Sequence, residues 1–128
     1  MGTEFTGGGL NPVLRDMARF GEMMRCEGHF NGQQIVPKAV VDDIRFGGSR
    51  EAFAQGGGYP TLQGWSYRNM WWVTHNEHGA YTARGIHGQT IYIDPMAEMV
   101  VARFGSHRWR SVNFDAVTLP AFDAMARH

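Results

Sequence analysis

The sequence predicts an α+β fold, in which two amphipathic helices lead into an antiparallel sheet of three to four strands and a last helix packs against it. Three observations carry this. Apolar residues recur three and four apart in the first third of the chain, and β-branched and aromatic residues broken by turn signals fill residues 67–104. Nowhere does strand alternate with helix in the βαβ order of a parallel sheet.

Asn11 suits an N-cap and Pro12 a first helical position, where a missing N–H costs nothing. Val13, Met17, Phe20 and Met24 then form one stripe, with Arg15, Asp16, Arg19 and Glu22 largely off it. This predicts a first helix from Pro12 to Cys26 that Gly28 stops. After a turn at Asn31-Gly32, Val40, Val41 and Ile44 lie opposite Lys38, Asp42, Asp43 and Arg45, giving a shorter helix over Pro37 to Phe46. Glycines then dominate from Gly47 to Gly64, which reads as a long loop of the functional or mobile kind.

Strands are expected over Tyr67 to Thr74, Ala80 to Ile86, Gln89 to Asp94 and Met99 to Phe104. Trp71 and Val73 alternate with Met70, Trp72 and Thr74, so both faces of the sheet should be covered. Phe114, Val117, Phe122 and Met125 predict a final helix over Val112 to Arg127, with Pro120 kinking it or starting its last turns.

Composition narrows the function. The chain has 128 residues, enough to bury a core without metal or disulfide, and twelve basic side chains balance twelve acidic ones. A duplex nucleic-acid partner needs a basic stripe, and there is none. No apolar run is long enough to span a bilayer, and no charged segment followed by an apolar one opens the chain. The expectation is therefore no membrane, with a cytoplasmic setting favoured over a periplasmic one. Met1 to Phe5 reads as a vector-derived tag, leaving residues 6–128 as one segment. Cys26 is the single cysteine and reads as a small helix residue.

Catalytic motifs are few. There is no dinucleotide or phosphate-binding glycine loop and no nucleophile elbow. Cofactors are expected to be none. His75, His78 and His87 could be drawn together as a metal site, but the first two sit in a turn with no helix to align them, so the metal expectation is also none. Ser49, Ser66, Ser106 and Ser111 each lack a lysine three residues on, and Ser106 and His107 are neighbours that would face opposite ways on a strand. A complete nucleophile and base within this chain is not expected. Gly85 and Gly88 interrupt an otherwise β-prone run, marking a bulge or a place where a ligand or another backbone comes close.

Taken in order, Gly9-Leu10, Leu14-Arg15-Asp16-Met17-Ala18-Arg19-Phe20-Gly21, Ile35-Val36-Pro37, Tyr67-Arg68-Asn69-Met70-Trp71-Trp72, Ala83-Arg84-Gly85-Ile86-His87-Gly88-Gln89 and Tyr92-Ile93-Asp94-Pro95 carry a resemblance. Over nearly all of residues 7–127 the chain resembles the C-terminal part of the serine β-lactamase and penicillin-binding-protein-like hydrolases. Within them it is most similar to the 6-aminohexanoate-dimer hydrolase and β-lactamase-type esterase branch. The resemblance implies a fragment whose Ser-x-x-Lys nucleophile and Tyr-x-Asn second base both precede Thr6 and are missing here. The family's Lys-Thr-Gly falls on Ala83-Arg84-Gly85, where only the glycine matches.

The resemblance implies that Gly85 and Ile86 lie on the cleft strand, the Ile86 N–H donating to the oxyanion of an acyl-transfer intermediate. His87 would line the leaving-group side or be a hairpin histidine bonded to water. The implied substrate of the parent is a small amide or ester, and the chain alone should be inactive. A truncated sheet would also leave Met70, Trp71, Trp72 and Phe104 as an uncovered surface, from which self-association is expected. The alternative reading is a non-enzymatic, self-associating or binding α+β module.

Overall fold

The computed structural model describes residues 10–128; the expected tag over Met1 to Phe5 lies outside the described residues. Helix α1 runs Leu14–Arg25 and starts two residues later than the sequence suggests, because Val13 and not Asn11 occupies the cap position. Its C-terminus reverses at Glu27 (φ +56°), one residue before the expected glycine. The Gly28 N–H donates to Met23 O and the Glu27 N–H to Met24 O, the paired bonds that close a helix end.

A small hairpin follows, β1 (His29–Phe30) and β2 (Gln33–Gln34), turning through Asn31 and Gly32, both at positive φ. Helix α2 is Lys38–Phe46 with Pro37 as cap. It buries Val41 and Ile44 but leaves Val40 exposed. The expected Gly47–Gly64 loop holds a further helix, α3 (Arg50–Gln55), which Ser49 caps by accepting from the Ala52 N–H at 3.1 Å.

The main sheet has five antiparallel strands in sequence order, β3 (Ser66–Arg68), β4 (Trp71–Val73), β5 (Tyr81–Arg84), β6 (Thr90–Asp94) and β7 (Met99–Arg103). This is one more than the three to four expected. What reads in sequence as a single strand from Tyr67 to Thr74 is a hairpin folded at Asn69 and Met70, both at positive φ. Alternation hid the turn, because an aromatic-rich hairpin and a continuous strand share the same composition.

Register then sorts the faces. Val73, Tyr81, Ile93 and Val100 line up across the sheet beneath α1 and α2, and with Met23, Met24, Val41 and Ile44 they form the larger core. Trp71 belongs to this core and is buried, contrary to its expected place on an open surface. The Tyr81 hydroxyl crosses the core to donate to Met24 O at 3.0 Å, and burial raises its pKa well above the usual phenol range.

Thr82 and Tyr92 face the other way, toward a short 3-10 turn (Ser111–Phe114) and helix α4 (Asp115–Ala126). Tyr92, Ala80 and Phe122 form the core of that side, where burial pushes the Tyr92 hydroxyl up to about 12. Pro120 sits inside α4 without ending it, and Val117 and Met125 are exposed, so of the expected stripe only Phe122 is buried.

No helix among the described residues is long and apolar enough to cross a membrane.

Candidate functional site

The connection from β5 to β6 brings the sequence's most unusual run to one place. Gly85 to Gly88 form a tight tip at the end of β5, so the glycines lie beyond the strand they were expected to interrupt. Three of the four tip amides are engaged. The Gly85 N–H donates to Gln89 O at 2.8 Å, the His87 N–H to Gln89 Oε1 at 3.0 Å, and the Gly88 N–H to Ser111 Oγ at 3.0 Å. The Ile86 N–H has no acceptor among the described residues, and the residue is 60% exposed.

Ser111 holds this tip from the opposite side. Its hydroxyl donates to Gly85 O while accepting from Gly88, and its own N–H donates to Ile86 O at 2.9 Å. The peptide on either side of Ile86 is therefore fixed while its amide stays open. A Cβ at residue 85 would fall 2.6 Å from Gln89 Oε1, the atom that holds the His87 amide. The glycine is thus demanded by the tip itself, where the sequence suggested an approaching substrate.

Gly85, Ile86 and Ser111 border a cavity of about 350 Å³ that Tyr59, Trp72, Arg84 and Arg110 help to enclose. Below it Arg84 and the buried Asp115, in the first turn of α4, form an ion pair, and Thr61 Oγ1 donates to the other Asp115 oxygen at 2.7 Å. One carboxylate so ties the glycine-rich segment, the end of β5 and the start of α4, where the helix dipole also favours a negative charge.

No family model matches the chain. Residues of this chain are 37% identical over 105 positions to the 6-aminohexanoate-dimer hydrolase of Paenarthrobacter ureafaciens, covering 82% of this chain and 27% of that protein. A solved structure described as a putative 6-aminohexanoate-dimer hydrolase from Bacillus anthracis superposes with a TM-score of 0.78 at 40% identity, covering 94% of this chain and 30% of that one. The chain is homologous to a segment of the 6-aminohexanoate-dimer hydrolases. It spans less than a third of the length of either relative.

Within this chain the expected site residues separate. Gly85 and Ile86 reach the cavity, whereas His87 turns aside, its Nδ1 2.9 Å from His107 O. His87 is not among the residues lining that cavity. The three histidines that could be imagined around a metal also diverge. His75 meets Ser66, His78 lies 2.8 Å from Asp94, and no three metal-ligating side chains gather among the described residues.

A serine and a histidine do come together, although none was expected to. Ser66 Oγ lies 2.7 Å from His75 Nε2 and accepts from the Gly48 N–H at 3.1 Å. Burial, with Arg50 nearby, pushes the His75 pKa down, which keeps the ring neutral. Ser66 is wholly buried and does not line the cavity beside Ile86, so the pair fastens the β3 end to the α2 terminus.

A Tyr-x-Asn sequence is present too, at Tyr67-Arg68-Asn69, contrary to the expectation that none occurs here. It forms the β3–β4 hairpin: Asn69 donates to Asp43 at 2.8 Å and Tyr67 packs edge-on against Trp72. Burial and the neighbouring Glu22 raise the pKa of the Cys26 thiol, which disfavours the reactive thiolate. Sequence reasoning missed Trp72, Arg84, Arg110 and Ser111 as cavity residues. They come from three separate stretches, and only the arginine next to Gly85 carried any local signal.

Proposed function

We propose that this chain is the C-terminal part of a serine hydrolase of the β-lactamase-like family acting on amide or ester bonds, and that it supplies the oxyanion wall of the acyl-transfer site. The observation that carries the reading is the Ile86 amide, the one tip N–H without an acceptor among the described residues, beside an open cavity. A tetrahedral intermediate needs donors fixed in advance where its negative oxygen will form. Ser111 and Gln89 fix the backbone around Ile86 before any substrate arrives.

Homology to amide hydrolases supports the same chemistry. The nucleophile belongs to a Ser-x-x-Lys motif that these 128 residues do not contain, so the chain alone is inactive toward activated esters and unlabelled by a fluorophosphonate.

The test is a chimera in which residues 10–128 replace the homologous stretch of the Paenarthrobacter hydrolase. Ile86→Pro deletes the N–H, while Ile86→Ala keeps it and removes the side chain. The proline variant should lose roughly 10²–10³ in kcat, the usual cost of one oxyanion donor, with the alanine variant close to the parent. Equal losses in both, with folding unchanged, would sink the assignment.

A second reading, self-association, is supported by the outer edge of β7. Gly48 packs against the backbone of Tyr67 on β3, covering that edge, whereas no described strand pairs with β7 beyond β6. Phe104, at its end, is half exposed. Such an edge recruits a strand from a second copy. Sedimentation equilibrium should find a concentration-dependent dimer, and a single-chain mass across the series would count against it.

A further inference from the structure

Of the four tip residues, Gly85 and Gly88 have no side chain and that of Ile86 is apolar, so only His87 can send a polar side chain from the tip to another segment. It does so. The segment it meets runs from Gly105, just beyond β7, to Ser111 at the start of the 3-10 turn, and lies against the tip as a strap.

The strap is fastened at three places. At its near end a Cβ on Gly105 would fall 2.6 Å from His87 O, and one on Gly88 would strike the His107 ring, so the two backbones lie closer than any residue but glycine allows. In the middle the His107 N–H donates to His87 O at 3.0 Å, and His87 Nδ1 lies 2.9 Å from His107 O. At the far end Ser111 holds Gly85 O, Ile86 O and the Gly88 N–H. Between the last two, Arg108, Trp109 and Arg110 are exposed and make no hydrogen bond to the tip among the described residues.

Chemistry settles how the ring is used. A carbonyl oxygen only accepts, so His87 Nδ1 carries a hydrogen and donates it, in the neutral ring and the charged one alike. The bond therefore asks nothing of pH. Nor does the ring line the cavity, so it is not placed to exchange a proton with a substrate there.

We infer that His87 is a positioning residue for the Ile86 amide. Its ring holds the strap, the strap delivers Ser111, and Ser111 fixes the peptides on both sides of Ile86 and with them the direction of that N–H. An oxyanion donor works only if it is in place beforehand, and a displacement of about 1 Å can cost on the order of 10²-fold. Loss of the ring leaves the His107 N–H on His87 O, so the strap loosens without detaching and the expected cost is smaller, about tenfold. The inference rests on the placement of acyl transfer at the Ile86 amide.

The experiment has two arms and two variants. His87→Leu removes the ring donor, whereas His87→Asn puts an amide N–H where Nδ1 stood, since both nitrogens are bonded to Cγ. His87 is exposed, so neither replacement endangers the fold. In the chimera with the Paenarthrobacter hydrolase, His87→Leu should lower kcat about tenfold with KM little changed, His87→Asn should recover most of the loss, and neither should shift the pH profile. In the ¹⁵N-labelled chain alone, backbone relaxation should show the Ile86 and Ser111 amides more mobile in His87→Leu and parent-like in His87→Asn. Equal losses in the two variants, a loss confined to KM, a displaced pH profile, or Ile86 relaxation indifferent to His87→Leu would each overturn the role. The relaxation arm needs no catalysis, so it reports on the strap even where Ile86→Pro shows that the amide is not the oxyanion donor, and the two readings fall separately.

Discussion

The Gly85–Gly88 tip and the Gly47–Ser66–His75 corner are both polar clusters built around glycines, and they end in opposite states. At the corner both glycine amides and the serine hydroxyl are engaged. Ser66 accepts from Gly48, shares a hydrogen bond with neutral His75, and is wholly buried, and Gly47 at φ +79° leaves no room for a side chain. At the tip three amides are met and one is left open, beside two orphaned side-chain donors and a cavity. A serine next to a histidine is therefore a fastening when it is closed off, and an unmet N–H on a rigid backbone is the better mark of a working site.

The largest effect on stability should come from filling the closed cluster. Gly47→Ala places a Cβ onto Ser66 Oγ in a backbone conformation that L residues rarely adopt, and should cost about 2–4 kcal/mol in urea denaturation. A loss below about 1 kcal/mol would mean that the corner is not rigid.

Removing one hydroxyl from each cluster comes next. Ser66→Ala strands the half-buried Gly48 N–H and should cost about 1–3 kcal/mol. Ser111→Ala should cost less, about 1 kcal/mol, because the Gly88 N–H keeps a second acceptor in Gly85 O at 3.3 Å. Exposure differs as well: Ser111 is only partly buried. Equal losses would erase the distinction between closed and open clusters.

The smallest effect is a pH dependence. The His75 pKa is lowered by the fold, so in mildly acidic solution the unfolded chain binds the proton that the native chain resists. Stability is then complete above the ordinary histidine range, near pH 6.5, and declines as pH falls below it. Lowered carboxylates such as Glu22 act further down, below their ordinary value of 4.5. Unfolding midpoints measured from pH 7 to 5 should slope for the parent and flatten for His75→Gln; parallel slopes would show that His75 contributes nothing.

How much of this was legible in sequence depends on the range of the signal. Helix α2 could be read almost to the residue, because Pro37 and the Val41–Ile44 pairing act within one turn. The end of α1 was misplaced by one residue since Glu27, not Gly28, takes the first left-handed position, and its own side chain gives no sign of that. The hairpin at Asn69-Met70 was hidden, because methionine is a poor advertisement for positive φ. At the site, Gly85 and Ile86 stood out by their neighbours, while Trp72 and Arg110 reach the same cavity from strand β4 and the segment after β7.

The sequence by itself determined the α+β class, the helical faces and the stretch that forms the tip, all through periodicity and turn chemistry acting over a few residues. Only the tertiary structure decided which polar groups found partners. Ser66 met His75 and became a fastening, His87 met the His107 carbonyl and left the cavity wall, and Arg84 met Asp115 with one nitrogen and nothing with another. Hydrogen bonds form between whatever groups the packed sheet and helices bring within about 3 Å of each other, and that juxtaposition is set by strand register and helix docking, which no local pattern records.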